Sequence, residues 1–366
     1  MLVLEWADKR EGLVNLLMPQ EGFYKKLRIK EIHEEVKNFK TFVFEDGHGI
    51  EYKSGQYITL VQTVKGEEVR RSYSFTSSPD LGEPLTIGVK RVENGLFSRQ
   101  LIDDAKPGDE WTTTGAGGLF VLPGDAPNFH QIFFFAAGSG ITPVYSLIKT
   151  ILHCHPYLSV VLIYSNASSE KTVFFDALQK LSWQFEKRFN LELLYSNNPK
   201  LEKARLYREL LLELTDKLAV TEKAKTLFYV CGPESYMRMC IFTLQAIGVP
   251  KNNIRKENFV IHNVSYKNIL PPDKETHKVQ IHFGEKDYEF DVEYPQSILK
   301  AAKKNGIQLP YSCEVGRCGN CVAKCIKGTV WHSYNEVLTD RELEQGLILT
   351  CVGHPVGGDL SLAWPT

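Results

Sequence analysis

The sequence predicts a multidomain chain: an antiparallel β-barrel, then an α/β domain on a parallel sheet, then a small α+β domain. Three observations carry this. Residues 22–125 hold short β-branched and aromatic runs broken by turn residues. Residues 126–260 alternate continuous apolar runs with helical stripes. Residues 277–366 open on an alternating hairpin and a short helix, and then gather four of the chain's 8 cysteines between 313 and 325.

Taken in order, residues 1–21 form a leader. Its apolar positions (Leu2, Leu4, Trp6, Leu13, Leu16, Leu17) predict a surface helix or packed arm without chemistry. In the barrel, strands are expected at 56–61, 71–75 and 85–91. Asp46-Gly47, Lys53-Ser54-Gly55, Ser78-Pro79 and Pro107-Gly108-Asp109 supply turns between short strands, as in a small barrel. Residues 132–137 read as a strand buried on both faces. A helix follows with Ile141, Val144, Tyr145, Ile148 and Leu152 on one stripe. Strands at 160–164, 191–195 and 227–230 then alternate with helices at 174–185, 206–214 and 235–247. Residues 261–276, with Pro271-Pro272-Asp273, read as a linker. The last domain starts with a hairpin, 278–283 and 288–292, and a helix bearing Ile298, Leu299, Ala301 and Ala302. Asn305-Gly306 stops that helix.

Composition narrows the function. The chain has 366 residues, with Lys+Arg 43 against Asp+Glu 44 and a formal charge of -1. So balanced a chain has no general electrostatic pull on nucleic acid or acidic lipid. No apolar run reaches the ~18 residues of a membrane span. The N-terminus carries charges where an export signal needs its apolar core, so a cytoplasmic, thiol-reducing setting is expected.

Cys313, Cys318 and Cys321 follow the pattern C-x4-C-x2-C, and Cys351 lies further on. This is the plant-type [2Fe–2S] spacing. Two sulfide-bridged irons need four thiolates, and one compact loop plus one distant segment can supply them. Gly316 and Gly319 let the loop curl so that amides point at sulfurs. A zinc site normally uses two short cysteine pairs, and only one is present here. Cys325, Cys154 and Cys240 read as packed thiols.

Two further sets of residues carry chemistry. In the α/β domain, Gly138-Ser139-Gly140-Ile141-Thr142-Pro143 sits where a buried strand turns into a helix. Such a turn lets a phosphate approach free amides, and Pro143 suits a first helical turn. A second turn, Cys231-Gly232-Pro233, ends a later strand, and ligands bind at such carboxyl ends. In the barrel, Arg71-Ser72-Tyr73-Ser74 is followed in order by Lys90-Arg91-Val92, Gly95-Leu96-Phe97-Ser98, Lys106-Pro107-Gly108-Asp109 and the glycine-rich stretch from Gly115 to Phe120.

This order of motifs resembles the ferredoxin–NADP reductase superfamily with a C-terminal plant-type [2Fe–2S] domain of β-grasp type. Within it, the chain is similar to reductase subunits of phenylacetyl-CoA (ring 1,2-) epoxidase complexes. The similarity rests on Arg70 to Ser74, Gly138 to Pro143, Leu309-Pro310-Tyr311-Ser312-Cys313, and Asn335 to Asp340 ahead of Cys351. The cysteine loop departs from that family, reading Glu314-Val315-Gly316-Arg317 where Lys-Gly-Gly-Val is usual.

The resemblance implies that Arg71 binds the FAD diphosphate, Tyr73 lies on the flavin ring and Ser74 approaches its reactive edge. Lys90, Val92, Gly95, Phe97 and Ser98 complete the cradle. Gly138, Gly140, Thr142 and Pro143 hold the nucleotide, while Cys231, Gly232 and Pro233 lie beside the nicotinamide. Glu257 and Phe259 match a closing Glu-x-Phe, with Phe259 near the flavin. The implied donor is NADPH, with NADH open: Asn166-Ala167 lacks the arginine that faces a 2'-phosphate, and Lys171 or Arg205 could replace it. Electrons would pass from NAD(P)H through FAD to the cluster and on to a protein acceptor, expected to be a multi-subunit oxygenase. The order of domains also fits a reductase for a Rieske-type dioxygenase, a desaturase or a hybrid-cluster protein. A redox sensor without turnover is the remaining alternative.

Overall fold

The computed structural model describes residues 23–259 and 269–364. The expected leader and residues 261–268 of the expected linker lie outside them. The described residues form two compact units, 26–259 and 269–364, the latter joined by 23–25.

The first unit begins with six strands: β1 (Lys25–Val36), β2 (Phe39–Phe44), β3 (Tyr57–Val64), β4 (Glu67–Ser74), β5 (Thr86–Lys90) and β6 (Glu110–Gly117). They form one sheet in the order β4-β3-β6-β1-β2-β5. An antiparallel bridge between Phe75 and Ile87 joins its two ends and closes the barrel. Alternation sends Leu27, Ile29, Phe42, Ile58, Leu60 and Val89 inward to a common core. The Gly95-Leu96-Phe97-Ser98 motif starts a helix, with Gly95 at its N-cap. Helix α1 (Leu96–Arg99) runs into a wider π-helical turn, Gln100–Asp104, because Phe97, Leu101 and Ile102 all bury against that core.

Next come β7 (Gln131–Ala137), α2 (Ile141–Cys154), β8 (Ser159–Asn166), α3 (Phe175–Gln184), β9 (Phe189–Tyr195), α4 (Arg208–Leu218), β10 (Thr226–Cys231), α5 (Glu234–Ala246) and β11 (Ile254–Glu257). The sheet is parallel throughout, in the order β11-β10-β7-β8-β9. Its central strand explains the apolar run. Ile132 and Phe134 join a core with Val144 and Ile148 of α2 and Leu178 of α3. Phe133 and Phe135 join another with Leu211 of α4 and Met237 of α5. Helices therefore cover both faces, as a parallel sheet requires.

Helix α2 also meets the barrel through a polar seam. The Ser54 and Thr150 hydroxyls lie 2.6 Å apart, Ser146 Oγ donates to the Ser77 carbonyl at 2.6 Å, and Lys149 pairs with Glu83. At Gly55 (φ +90°) an added Cβ would fall 2.0 Å from the Phe120 carbonyl, so only glycine fits.

The second unit holds β12 (His277–Phe283), β13 (Lys286–Val292), α6 (Ile298–Lys304), β14 (Val322–Lys327), β15 (Val330–His332), α7 (Asp340–Glu344), β16 (Leu347–Leu349), β17 (Gly353–Pro355) and β18 (Leu360–Ala363). Five strands form a mixed sheet, β13-β12-β18-β14-β16, with β12 and β18 parallel. Helix α6 buries Ile298, Leu299, Ala301 and Ala302. The Ser297 side chain caps it, and beyond Asn305 the left-handed Gly306 (φ 73°) ends it. Thr339 and Glu342 form a reciprocal capping box on α7.

Candidate functional site

On the first unit, β4, β5 and α1 enclose a cavity of about 530 Å³. It is lined by Arg71, Tyr73, Ser74, Lys90, Val92, Gly95, Phe97 and Ser98, with Thr142 and Phe259 from the α/β domain. Ser72, Gly88, Arg91, Leu96 and Ser139, which lie within the same motifs but were given no individual role, complete the lining. Strand β4 positions the motif by pairing Arg71 with Leu60, Tyr73 with Ile58 and Ser74 with Tyr57 of β3. Tyr73 packs partly on the barrel core, and burial raises its phenol pKa. An aromatic ring half on the core and half on the cavity suits a flat ring system. Arg71 is exposed and anchored by an Nη1 bond to the Arg70 carbonyl at 2.7 Å, whereas Arg91 is engaged by Asp103 at 2.8 Å. At Gly88 an added Cβ would approach Thr142 Cγ2 to 2.5 Å, so the cavity floor requires glycine. Ser98 Oγ accepts from the Val92 amide at 3.1 Å and shapes the loop ahead of α1. The donor set fits a diphosphate and a flavin ring. Arg71→Ala is expected to lower FAD retention on dilution roughly 10-fold or more, the scale of one charge-assisted hydrogen bond. Unchanged flavin content after gel filtration would remove Arg71 from the cradle.

The two glycine turns meet at the carboxyl edge of the parallel sheet. An added Cβ at Gly140 would lie 2.2 Å from the Cys231 carbonyl, and one at Gly232 would lie 2.9 Å from Ala137 Cβ. Those glycines thus allow two strand ends to touch. Gly138 (φ 55°) accepts a hydrogen bond from Tyr164 at its carbonyl, and Thr142 Oγ1 donates to Ser139 at 2.9 Å. Pro143 is buried in the first turn of α2. Gly138, Gly140, Pro143, Cys231, Gly232 and Pro233 are not among the residues that line the cavity; they form the adjoining sheet edge. Lys171 and Arg205 are exposed, and Glu170 accepts from the Ser169 hydroxyl at 3.0 Å.

Strand register sets Ala136, Cys231 and Glu257 side by side at that edge. Ser74 Oγ donates to Glu257 Oε1 at 3.1 Å, which links barrel to sheet. Glu257 Oε2 is enclosed and has no hydrogen-bond partner among the described residues. Burial raises this carboxyl to about 8, against the opposing pull of Ser74. Burial, and then the Glu257 charge, push the Cys231 thiol well up, so it stays a neutral thiol. Glu257 was visible in the sequence only as a motif match, because Arg-Lys-Glu reads as a solvated run of charge.

In the second unit the four predicted thiols gather as two pairs. Cys318 lies within hydrogen-bond reach of Cys313, and Cys321 of Cys351. Two pairs are what two irons require. Cys313 Sγ accepts from the amides of Val315 (3.5 Å) and Arg317 (3.4 Å). Left-handed Glu314, Gly316 and Gly319 produce this curl. The Cys318 thiol, together with those amides, holds Cys313 well below the usual thiol range. Thr350 donates through its amide and hydroxyl to the Cys321 carbonyl, which ties the Cys351 segment to the loop. Cys325 is engaged elsewhere, its Sγ 3.5 Å from the Lys327 carbonyl. Cys240 is packed as expected, but Cys154 is exposed at the end of α2. The site fits a cluster that is held by four thiolates and stabilised by backbone amides.

Comparison with known proteins agrees with this geometry. An oxidoreductase FAD-binding domain family matches residues 26–122, an oxidoreductase NAD-binding domain family matches 134–241, and a 2Fe-2S iron-sulfur cluster binding domain family matches 281–356. The chain thus carries FAD-binding, NAD-binding and 2Fe-2S domains in that order. This reductase is similar to one of the subunits of 1,2-phenylacetyl-CoA epoxidase from Escherichia coli (strain K12), with 29% identity over 91% of the chain and 96% of the relative. It is also similar to the ferredoxin reductase component of 3-ketosteroid-9-alpha-monooxygenase from Mycolicibacterium smegmatis, at 28% over 92% and 96%. Among solved structures, phthalate dioxygenase reductase shares the fold, with a TM-score of 0.57 and 23% identity over 94% of this chain and 99% of that one. The reductase is therefore an oxidoreductase that uses FAD, a nicotinamide nucleotide and a [2Fe–2S] cluster. No helix among its described residues is long and apolar enough to cross a membrane.

Proposed function

We propose that this reductase is the cytoplasmic electron-supplying component of a multi-subunit oxygenase of the phenylacetyl-CoA epoxidase type, active in phenylacetate breakdown. The observation that carries an electron-transfer role is the meeting of Tyr73, Ser74 and Glu257 where the barrel cavity adjoins the nucleotide sheet, on a chain with a four-thiol loop. The epoxidase component among its relatives supports the choice of partner. When bound, the nicotinamide gives electrons in pairs, the cluster takes them singly, and the flavin exchanges them either way.

The protein's own part is binding and placement. Arg71 and Lys90 offer cations to a diphosphate, Tyr73 offers a flat apolar face, and the glycine turns bring the nucleotide edge to that face. Glu257 holds a proton on its carboxyl at neutral pH, and Ser74 Oγ extends that carboxyl toward the cavity. Either nucleotide fits this reading, since Ala167 offers no cation and Lys171 follows just beyond β8.

Reconstitution tests the partner. The reductase, the oxygenase components of the epoxidase, phenylacetyl-CoA and NADPH or NADH should couple nucleotide oxidation to epoxide formation. Nucleotide oxidation without epoxide, alongside coupled turnover with a Rieske-type dioxygenase, would assign the reductase to that other acceptor.

A further inference from the structure

The cysteine loop carries a buried ion pair that the redox reading does not use. Arg317, the residue before Cys318, is 9% exposed, and its Nε lies 2.7 Å from Glu336 Oε2. Both side chains are largely withdrawn from water, at 7% and 20% exposure. The same two residues also hold the loop by backbone. The Arg317 amide donates to Cys313 Sγ at 3.4 Å, and the Glu336 amide donates to the Gly316 carbonyl at 3.1 Å. Gly316 (φ +72°) is pressed so closely that an added Cβ would sit 2.9 Å from the Tyr334 carbonyl. The Asn335 side chain fixes the covering segment by accepting from the amides of Val337 and Leu338.

A buried charge is not screened as a surface one is, and removing one member of such a pair leaves the other uncompensated. Cluster potentials follow local net charge and the hydrogen bonds to sulfur. We infer that Arg317 and Glu336 are a charge-balanced positioning pair in which each charge shields the reduction potential of the cluster from the other. The inference rests on the iron–sulfur reading of the four thiols. Reduction adds negative charge, so a lone cation favours it and a lone anion opposes it. Each residue alone thus pulls the potential in the opposite direction, and together they cancel while keeping the Arg317 amide on Cys313.

The test is a redox titration of the full-length holoprotein, followed by electron paramagnetic resonance of the reduced cluster. Glu336→Gln should raise the midpoint potential, Arg317→Met should lower it, and the double variant should return close to wild type. Shifts of the same sign, or none in either variant at full iron content, would overturn the pair's electrostatic role. Where a single variant loses its cluster, iron content decides. Retention in the double variant supports charge balance, and loss in the double variant as well means that shape alone matters. The wild-type signal tests the cluster reading separately, because a reduced holoprotein without it fails before any variant is compared.

Discussion

Cys318→Ser removes the iron–sulfur absorption and one-electron delivery to protein acceptors, while NAD(P)H-dependent ferricyanide reduction continues. The large loss follows from ligand arithmetic. Cys318 pairs with Cys313 inside the loop, and the other thiols outside the ligand set lie on other elements and cannot take its place. Cys325 bonds to the Lys327 carbonyl and lies in β14. Delivery to cytochrome c should fall at least ~100-fold, the upper end of what losing a mere outer-shell partner costs a metal site. The spared activity follows from packing, since the barrel and α/β cores draw only on residues of the first unit. Iron content, visible spectra and the two acceptor assays check this. Loss of ferricyanide reduction in folded, FAD-loaded protein would contradict separate modules.

The second large effect concerns Glu257. Its carboxyl, raised to about 8 by burial, is neutral at pH 7 and ionises above 8. A carboxylate formed beside the place where hydride arrives opposes the incoming negative charge. Flavin reduction by NAD(P)H, followed by stopped flow, is therefore expected to slow about tenfold per pH unit above 8, as for a single essential ionisation. Glu257→Gln should abolish that fall while leaving the rate near pH 7 close to wild type. An unchanged pH profile in this variant would assign the ionisation elsewhere. The same group links pH to stability. Its folded pKa lies above the unfolded value of 4.5, so the folded chain binds the extra proton between about 4.5 and about 8. Its stabilising contribution is complete below 4.5, declines across that interval and is lost above about 8.

The parallel domain was legible in the sequence because β7, β8 and β10 carry apolar runs between clear helical stripes. The cysteine loop was legible because thiolate spacing is tied to cluster geometry. The barrel was harder to read. Strand β1 reads KKLRIKEIHEEV, and its outward charges hide the inward Leu27 and Ile29. Helix α1 was hidden for the opposite reason, since Gly95 looks like a turn while burial of Leu101 and Ile102 continues the coil. At the site, Arg71, Tyr73, Ser74 and the four ligand cysteines stood out by residue type and order. Glu257 showed only as a motif match without a role, and Gly88 and the Arg317–Glu336 pair carried no role, because each owes its part to a neighbour far away in the chain or across a strand.

The seam between barrel and helix α2 has a consequence for catalysis. Hydroxyl contacts such as Ser54 with Thr150, and Ser146 with Ser77, are directional, so they resist the sliding that a greasy joint would permit. Donor and acceptor rings would then be aimed at each other by the scaffold itself, and the reach of a hydride would be set before either ring arrives.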